Sequence, residues 1–216
     1  MNLTLHARTA RSTTDSEFDL DDDRALSLHD AAAENNIRIL KMFLQFPDVD
    51  LDGLDAGGIT PLVRAVMNGS LKAAKLLLVA GANPNFDSIG GGYALHAAVW
   101  TPSVDMVRLL LDHGADTEVR SSRGTTPLIE CAAFGTPEIA QVLLEHGADV
   151  LAIDPLGCTA LHWADSVEMA EVLIEGNVHV NAIDNDGDTA LDLAEENGNA
   201  DLAEFLERRG GIRGRV

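Results

Sequence analysis

The chain has 216 residues, 46% hydrophobic and 23% charged, which suits one extended core and leaves no room for two catalytic domains of ordinary size. Fifteen Lys and Arg against 35 Asp and Glu give a formal net charge of -20, a field that repels polyphosphate and argues against direct nucleic-acid binding. The longest obvious apolar run, Leu76 to Ala80, is far short of a bilayer span, Met1 to Thr14 has no apolar heart for a secretory signal, and Cys131 and Cys158 are too few for a disulfide framework.

Along the chain, residues 1–24 come first. Ser, Thr and Arg predominate to Thr14, after which Asp15, Glu17, Asp19, Asp21, Asp22 and Asp23 surround Phe18 and Leu20. Such a segment cannot bury a core and reads as a disordered tail, or as a short acidic-hydrophobic docking peptide.

From about residue 25 the chain repeats itself, and repeats are read before motifs. Thr60, Tyr93, Thr126 and Thr159 are spaced by 33, and Thr189 follows after 30; two places beyond each stands Leu62, Leu95, Leu128, Leu161 or Leu191. Gly81, Gly114, Gly147, Asn177 and Gly210 follow the same register, at steps of 33, 33, 30 and 33. Each unit opens on a turn signal such as Asp55 to Gly58 or Asp154 to Gly157. A Thr of N-cap type comes next, with Pro61 and Pro127 at the helix position where a missing N–H costs nothing. The pattern predicts a short alanine-rich helix over about 128–134, a glycine break, and a returning helix over about 138–146 that stops at a left-handed Gly. Asn177 fills that left-handed position in the fifth unit, as the next best residue for it.

The runs Thr60-Pro61-Leu62, Ala94-Leu95-His96-Ala97-Ala98, Thr126-Pro127-Leu128 and Thr159-Ala160-Leu161-His162, with Gly114-Ala115-Asp116 and Gly147-Ala148-Asp149, resemble ankyrin repeats. The resemblance covers about residues 25–210 and implies an all-α solenoid of stacked helix-turn-helix units with β-hairpin-like turn fingers. Six units are expected, at approximately 25–54, 55–87, 88–120, 121–153, 154–183 and 184–210. The first and last serve as caps, followed by a frayed basic C-terminus over 211–216 whose arginines can lie back on the acidic cap. The fifth unit is three residues short, because Trp163 to Val167 leave no room for the inter-helix turn, so its first helix should lose about one turn.

Candidates for chemistry are few. His96 and His162 take the histidine position of the repeat motif, where the resemblance implies a bond to neighbouring loop backbone, and His113 and His146 sit at helix C-termini. Cys131 and Cys158 have no His partner in their own units. Gly90-Gly91-Gly92 lacks the preceding strand and following Lys of a phosphate cradle. Asp184, Asp186, Asp188, Asp192 and Glu195 copy an EF-hand spacing, but Thr189 stands where that loop needs Gly. The expectation is therefore no enzyme, no metal and no cofactor.

The resemblance implies binding through the turn fingers and the exposed face of the first helices. Carried over position by position, it marks Ile59, Met67, Ile89, Trp100, Arg123, Phe134, Leu156 and Cys158 as partner-binding, with Trp163 at the edge of the set. Trp, Phe and Arg are the residue types that dominate interfaces; the competing reading is that Trp100 and Phe134 fold back to fill gaps between units. The function expected is a non-enzymatic adaptor or inhibitor that binds one or more proteins, some with a basic surface. It should be a monomer with no membrane association, cytoplasmic, with nuclear placement open. The alternative rests on the 14 acidic residues and absent Lys and Arg between Asp154 and Glu207, which would make that end a mimic of nucleic acid.

Overall fold

Local chemistry sets where each unit begins. The computed structural model describes residues 27–88, 92–101, 103–134 and 136–214; the acidic tail at 1–24 and Ile89 lie outside them. Among these residues the chain forms α1 (Leu28–Ala33) and α2 (Ile37–Phe43), α3 (Pro61–Met67) and α4 (Leu71–Ala80), α5 (Ala94–Val99) and α6 (Val104–Asp112). Then come α7 (Pro127–Ala133) and α8 (Pro137–Glu145), a 3-10 helix over Ala160–Trp163 with α9 (Val167–Glu175), and α10 (Ala190–Glu196) with α11 (Ala200–Arg208). The described residues contain no strand.

Thr60, Thr126 and Thr189 start α3, α7 and α10 by accepting the N–H of Val63, Ile129 and Asp192 at 3.2, 3.4 and 3.4 Å. Each such cap stabilises its helix by about 1 kcal/mol. Tyr93 occupies the same position before α5 and makes no side-chain cap. The return helices end on left-handed residues, at φ 88° for Gly147 and 71° for Asn177, so the glycine and asparagine of the repeat meet the same steric demand. In the fifth unit the first helix is the four-residue 3-10 piece, against seven residues in α3 and α7, which is the shortening the missing three residues require.

The units stack in two rows. α1, α3, α5, α7, the 3-10 helix and α10 pack in succession along one side, and α2, α4, α6, α8, α9 and α11 along the other. One continuous core runs between them, with Leu62, Leu95, Leu128, Leu161 and Leu191 buried at the repeat position. Ala65 and Ala98 recur as Cys131, whose Sγ–H donates to the Thr136 carbonyl at 3.2 Å. Here cysteine behaves as a small hydrophobe.

Polar links tie neighbouring units as well. His29, His96 and His162 reach with Nε2 to the carbonyls of Gly53, Thr125 and Asp188 at 2.8, 3.0 and 3.3 Å. Asp52, Asn85, Glu118 and Asn181 accept the backbone N–H of Asn83, Asp116, Asp149 and Ile212 in the unit that follows, at 2.8 to 2.9 Å. The register puts Leu151 at the remaining rung, opposite His179, where its side chain has no acceptor to offer.

The fingers are closed turns. Asp154 donates its N–H to Cys158 O at 3.0 Å, and Asp184 donates to Asp188 O at 2.9 Å. The Asp154 and Asp184 side chains accept two more backbone N–H groups each. At the far end, residues 211–214, expected to fray, are bound to the cap. Thr189 Oγ1 donates to Ile212 O at 3.0 Å, Gly214 N–H donates to Asp192 at 2.8 Å, and Arg213 pairs with Glu195. Arg209 reaches Glu171 at 3.0 Å. The arginines find carboxylates there that would otherwise repel one another, and the backbone follows.

Candidate protein-binding groove

The groove side of the molecule is organised by one register position on the first helices, four residues after the Thr, occupied by Arg64, Ala97, Glu130 and Trp163. From there a side chain reaches back to the finger nine residues earlier. Arg64 meets Asp55 at 2.6 Å, and Trp163 donates its indole N–H to Asp154 Oδ2 at 2.9 Å. Burial pushes the Asp55 carboxyl up, but the Arg64 bond and the N–H groups of Ile59 and Gly57 outweigh it and hold it below its usual value.

In the fourth unit the finger residue is Ser121, and Glu130 turns elsewhere. Thr125 Oγ1 donates to Glu130 Oε1 at 2.7 Å, and Trp100 of the preceding unit donates Nε1–H to Glu130 Oε2 at 2.7 Å. Arg123 completes the set, 3.6 Å from Glu130 Oε1. Glu130 is only 5% exposed while Trp100 is 58% exposed, so a buried carboxylate holds an outward-facing indole by its polar edge.

Around that pair the apolar surface gathers. The Phe134 ring lies 5.4 Å from the Trp100 ring, tilted by 53°, and the Arg123 guanidinium carbon sits 5.8 Å from the Trp100 centroid. A cleft of about 350 Å³ follows between the fourth and fifth fingers, with Phe134, Ile129, Ala133, Pro155, Leu156 and Trp163 on its apolar walls and Arg123, Thr125, Glu130 and Asp154 among its polar ones. Exposed aromatics held by buried partners lose little freedom on binding, which is what an interface anchor requires.

Of the residues marked from sequence, the structure brings Trp100, Arg123, Phe134 and Leu156 to this surface, and Met67 is exposed at the end of α3. Ile59, Thr125 and Cys158 share one position at the return of the finger, and in the fifth unit the Cys158 Sγ meets Asp184 Oδ2 of the next finger at 3.8 Å. Ile59 is half-buried against the core and Cys158 is 4% exposed, so Cys158 does not line the groove as expected. Burial, with the charges of Asp154 and Asp184, pushes the Cys158 thiol up to about 12, and burial pushes Cys131 to about 12 as well. Neither is an activated nucleophile. Sequence reading missed Glu130 and Asp154 and placed Trp163 only at the margin. The visible signal was a carboxylate inside the apolar run Leu128 to Cys131, on a face the helix must bury.

The Asp184 carboxylate is also engaged. Burial raises it, yet bonds from the N–H groups of Asp188 and Asp186 win and hold it low. Among the described residues no group of three His, Cys, Asp or Glu side chains converges as a metal site. No helix among them is long and apolar enough to cross a membrane.

Stacked helical pairs, closed fingers and an exposed aromatic groove define a repeat scaffold of the kind that presents an extended surface to another macromolecule. The chain belongs to the ankyrin-repeat family: the profile described as ankyrin repeats (3 copies) matches residues 10–88, 28–121, 77–154, 95–184 and 151–212. Such repeats are in general protein–protein interaction modules and not enzymes. Among solved structures, an ankyrin repeat domain from Acinetobacter baumannii AYE is 28% identical, with a TM-score of 0.78, covering 86% of this chain and 98% of its own. The ankyrin repeat domain of Bcl-3, described as a unique member of the IkappaB protein family, is 32% identical with a TM-score of 0.78, covering 86% of each chain. No curated protein matches the chain.

Proposed function

We propose that the protein is a non-catalytic adaptor or inhibitor that holds a protein partner in the groove formed by the third to fifth units. The observation that carries this reading is the Trp100 indole, mostly exposed yet fixed by a 2.7 Å bond to buried Glu130 and faced by Phe134. A ring that only filled a gap between units would be covered; this one is held open to solvent. Trp100, Phe134 and Leu156 are the apolar anchors, Arg123 and Trp163 give direction, and Met67 and Ile59 extend the surface toward the second unit.

The alternative, an acidic end that mimics nucleic acid, loses weight from the C-terminal arginines. Arg208, Arg209 and Arg213 sit against Glu204, Glu171 and Glu195 and neutralise part of that end. The test is affinity capture with wild type and a Trp100→Ala/Phe134→Ala variant, at low and moderate salt. The groove reading expects a partner that the double variant loses and salt does not. Partners that survive the variant and vanish with salt would move binding to the acidic end.

A further inference from the structure

Both tryptophans of the chain donate their indole N–H to a buried carboxylate, Trp100 to Glu130 and Trp163 to Asp154, and the two carboxylates flank one cleft. A carboxylate on the N–H edge pushes electron density into the ring and makes its face a better seat for a cation. Trp100 already shows the outcome, since the Arg123 guanidinium lies over it. Among the described residues no cation lies over Trp163, which is 39% exposed. Asp154 accepts three N–H groups, from Leu156, Cys158 and Trp163, and has no basic partner among them. The cleft therefore combines an aromatic face that no described residue occupies, apolar walls from Pro155 and Leu156, and, among its lining residues, two carboxylates against the one guanidinium of Arg123.

From this we infer that the cleft between the fourth and fifth fingers takes an arginine side chain of the protein partner. Its guanidinium stacks on the Trp163 face within the field of Asp154 and Glu130, and its aliphatic stem lies along Pro155 and Leu156. Arginine fits better than lysine because the planar ion can stack, as Arg123 does on Trp100. The inference rests on the groove reading above and names the chemistry of one contact within it.

The test uses the 15N-labelled full chain, whose two indole N–H signals are assigned with Trp100→Phe. Argininamide is the probe and citrulline amide its uncharged counterpart. The inference expects a saturable shift of the Trp163 signal with argininamide, with half-saturation on the order of millimolar, as one side chain can supply. Citrulline amide should bind at least about ten-fold more weakly, since it keeps the shape and loses the charge. Arg123→Gln, an exposed change that leaves the core alone, should tighten argininamide by about two-fold or more, because it removes the competing cation. Equal shifts with the two probes, a shift confined to Trp100, or weaker binding in Arg123→Gln would each overturn it. So would a Trp163 signal that moves in Arg8→Gln/Arg11→Gln without any probe, which would make the occupant the chain's own N-terminal segment. If capture still depends on Trp100 and Phe134 while argininamide leaves Trp163 untouched, the groove stands and only the arginine contact falls. If argininamide binds at Trp163 while capture ignores Trp100 and Phe134, the groove reading falls instead.

Discussion

Trp100 and Glu130 belong to adjacent units, thirty residues apart, and meet through a 2.7 Å hydrogen bond in which the partner of the buried carboxylate is an exposed ring. The bond couples stacking of the units to presentation of the surface, because the indole is set by a residue of the next helix in the row. Stability and recognition should therefore separate at this pair. Glu130→Ala removes a buried acceptor that serves Thr125, Trp100 and Arg123, and should lower unfolding free energy by about 1–3 kcal/mol in urea titration. Trp100→Ala deletes mostly exposed area and opens the Glu130 carboxylate to water in place of its indole donor, and should cost less than Glu130→Ala. The reverse order would make Trp100 a core residue and remove it from the groove.

The broken rung at Leu151 gives a gain-of-stability test. The other four positions of that ladder carry Asp52, Asn85, Glu118 and Asn181, each accepting a backbone N–H of the following unit. Leu151→Asn should supply the fifth and stabilise the array by about 0.5–1.5 kcal/mol. Thermal unfolding of the single variant decides it; an unchanged or lowered midpoint would mean that the short fifth unit shifts its loop out of reach.

His96 gives a pH signature. Tyr93 replaces the Thr that in the fifth unit bonds the equivalent His, where Thr159 Oγ1 lies 2.9 Å from His162 Nδ1. The His96 Nδ1 atom is buried without a hydrogen-bond partner. Burial lowers the His96 pKa from 6.5, against the bond to Thr125 O and the nearby Glu130 charge, which raise it, with the Arg123 charge adding a further lowering. The unfolded chain then binds the proton first, so this contribution to stability is present above about pH 6.5 and is lost as pH falls through the lower folded value. Urea midpoints should drop between about pH 7 and pH 5.5, and His96→Gln should flatten that slope. Asp55, Asp184 and Asp192 are held low and act only near or below pH 3.8, so they leave the histidine window clear.

Cys131 and Cys158, both near 12, should resist iodoacetamide in the folded chain. At pH 8 a thiol of pKa 12 is thiolate in about one part in ten thousand, against about one in ten at the unshifted 9.0 of these groups. Intact mass should show almost no adduct before urea and two after it. Rapid single labelling of the native protein would place Cys158 at the surface after all.

What the sequence disclosed was whatever its period controls. The leucines at 62, 95, 128, 161 and 191, the left-handed Asn177 and the shortened first helix of the fifth unit follow from spacing and local sterics. The candidate site was only half legible. Trp100, Phe134, Arg123 and Leu156 announced themselves as large side chains at positions that face outward, but exposure there depends on partners in the neighbouring unit. Glu130 could be seen as a carboxylate on a buried face; that it would choose Trp100 over Ser121 depends on how the units stack. Cys158 was misplaced because it is buried with its Sγ 3.8 Å from Asp184 of the next finger, a neighbour that a residue-type argument does not contain.

Hydrogen–deuterium exchange of the full chain with its captured partner tests the central claim most directly. The groove account predicts slowed exchange over 122–134 and 154–163, with the cap helices α10 and α11 unchanged. Protection confined to α10 and α11, with those two segments exchanging as in the free chain, would contradict it.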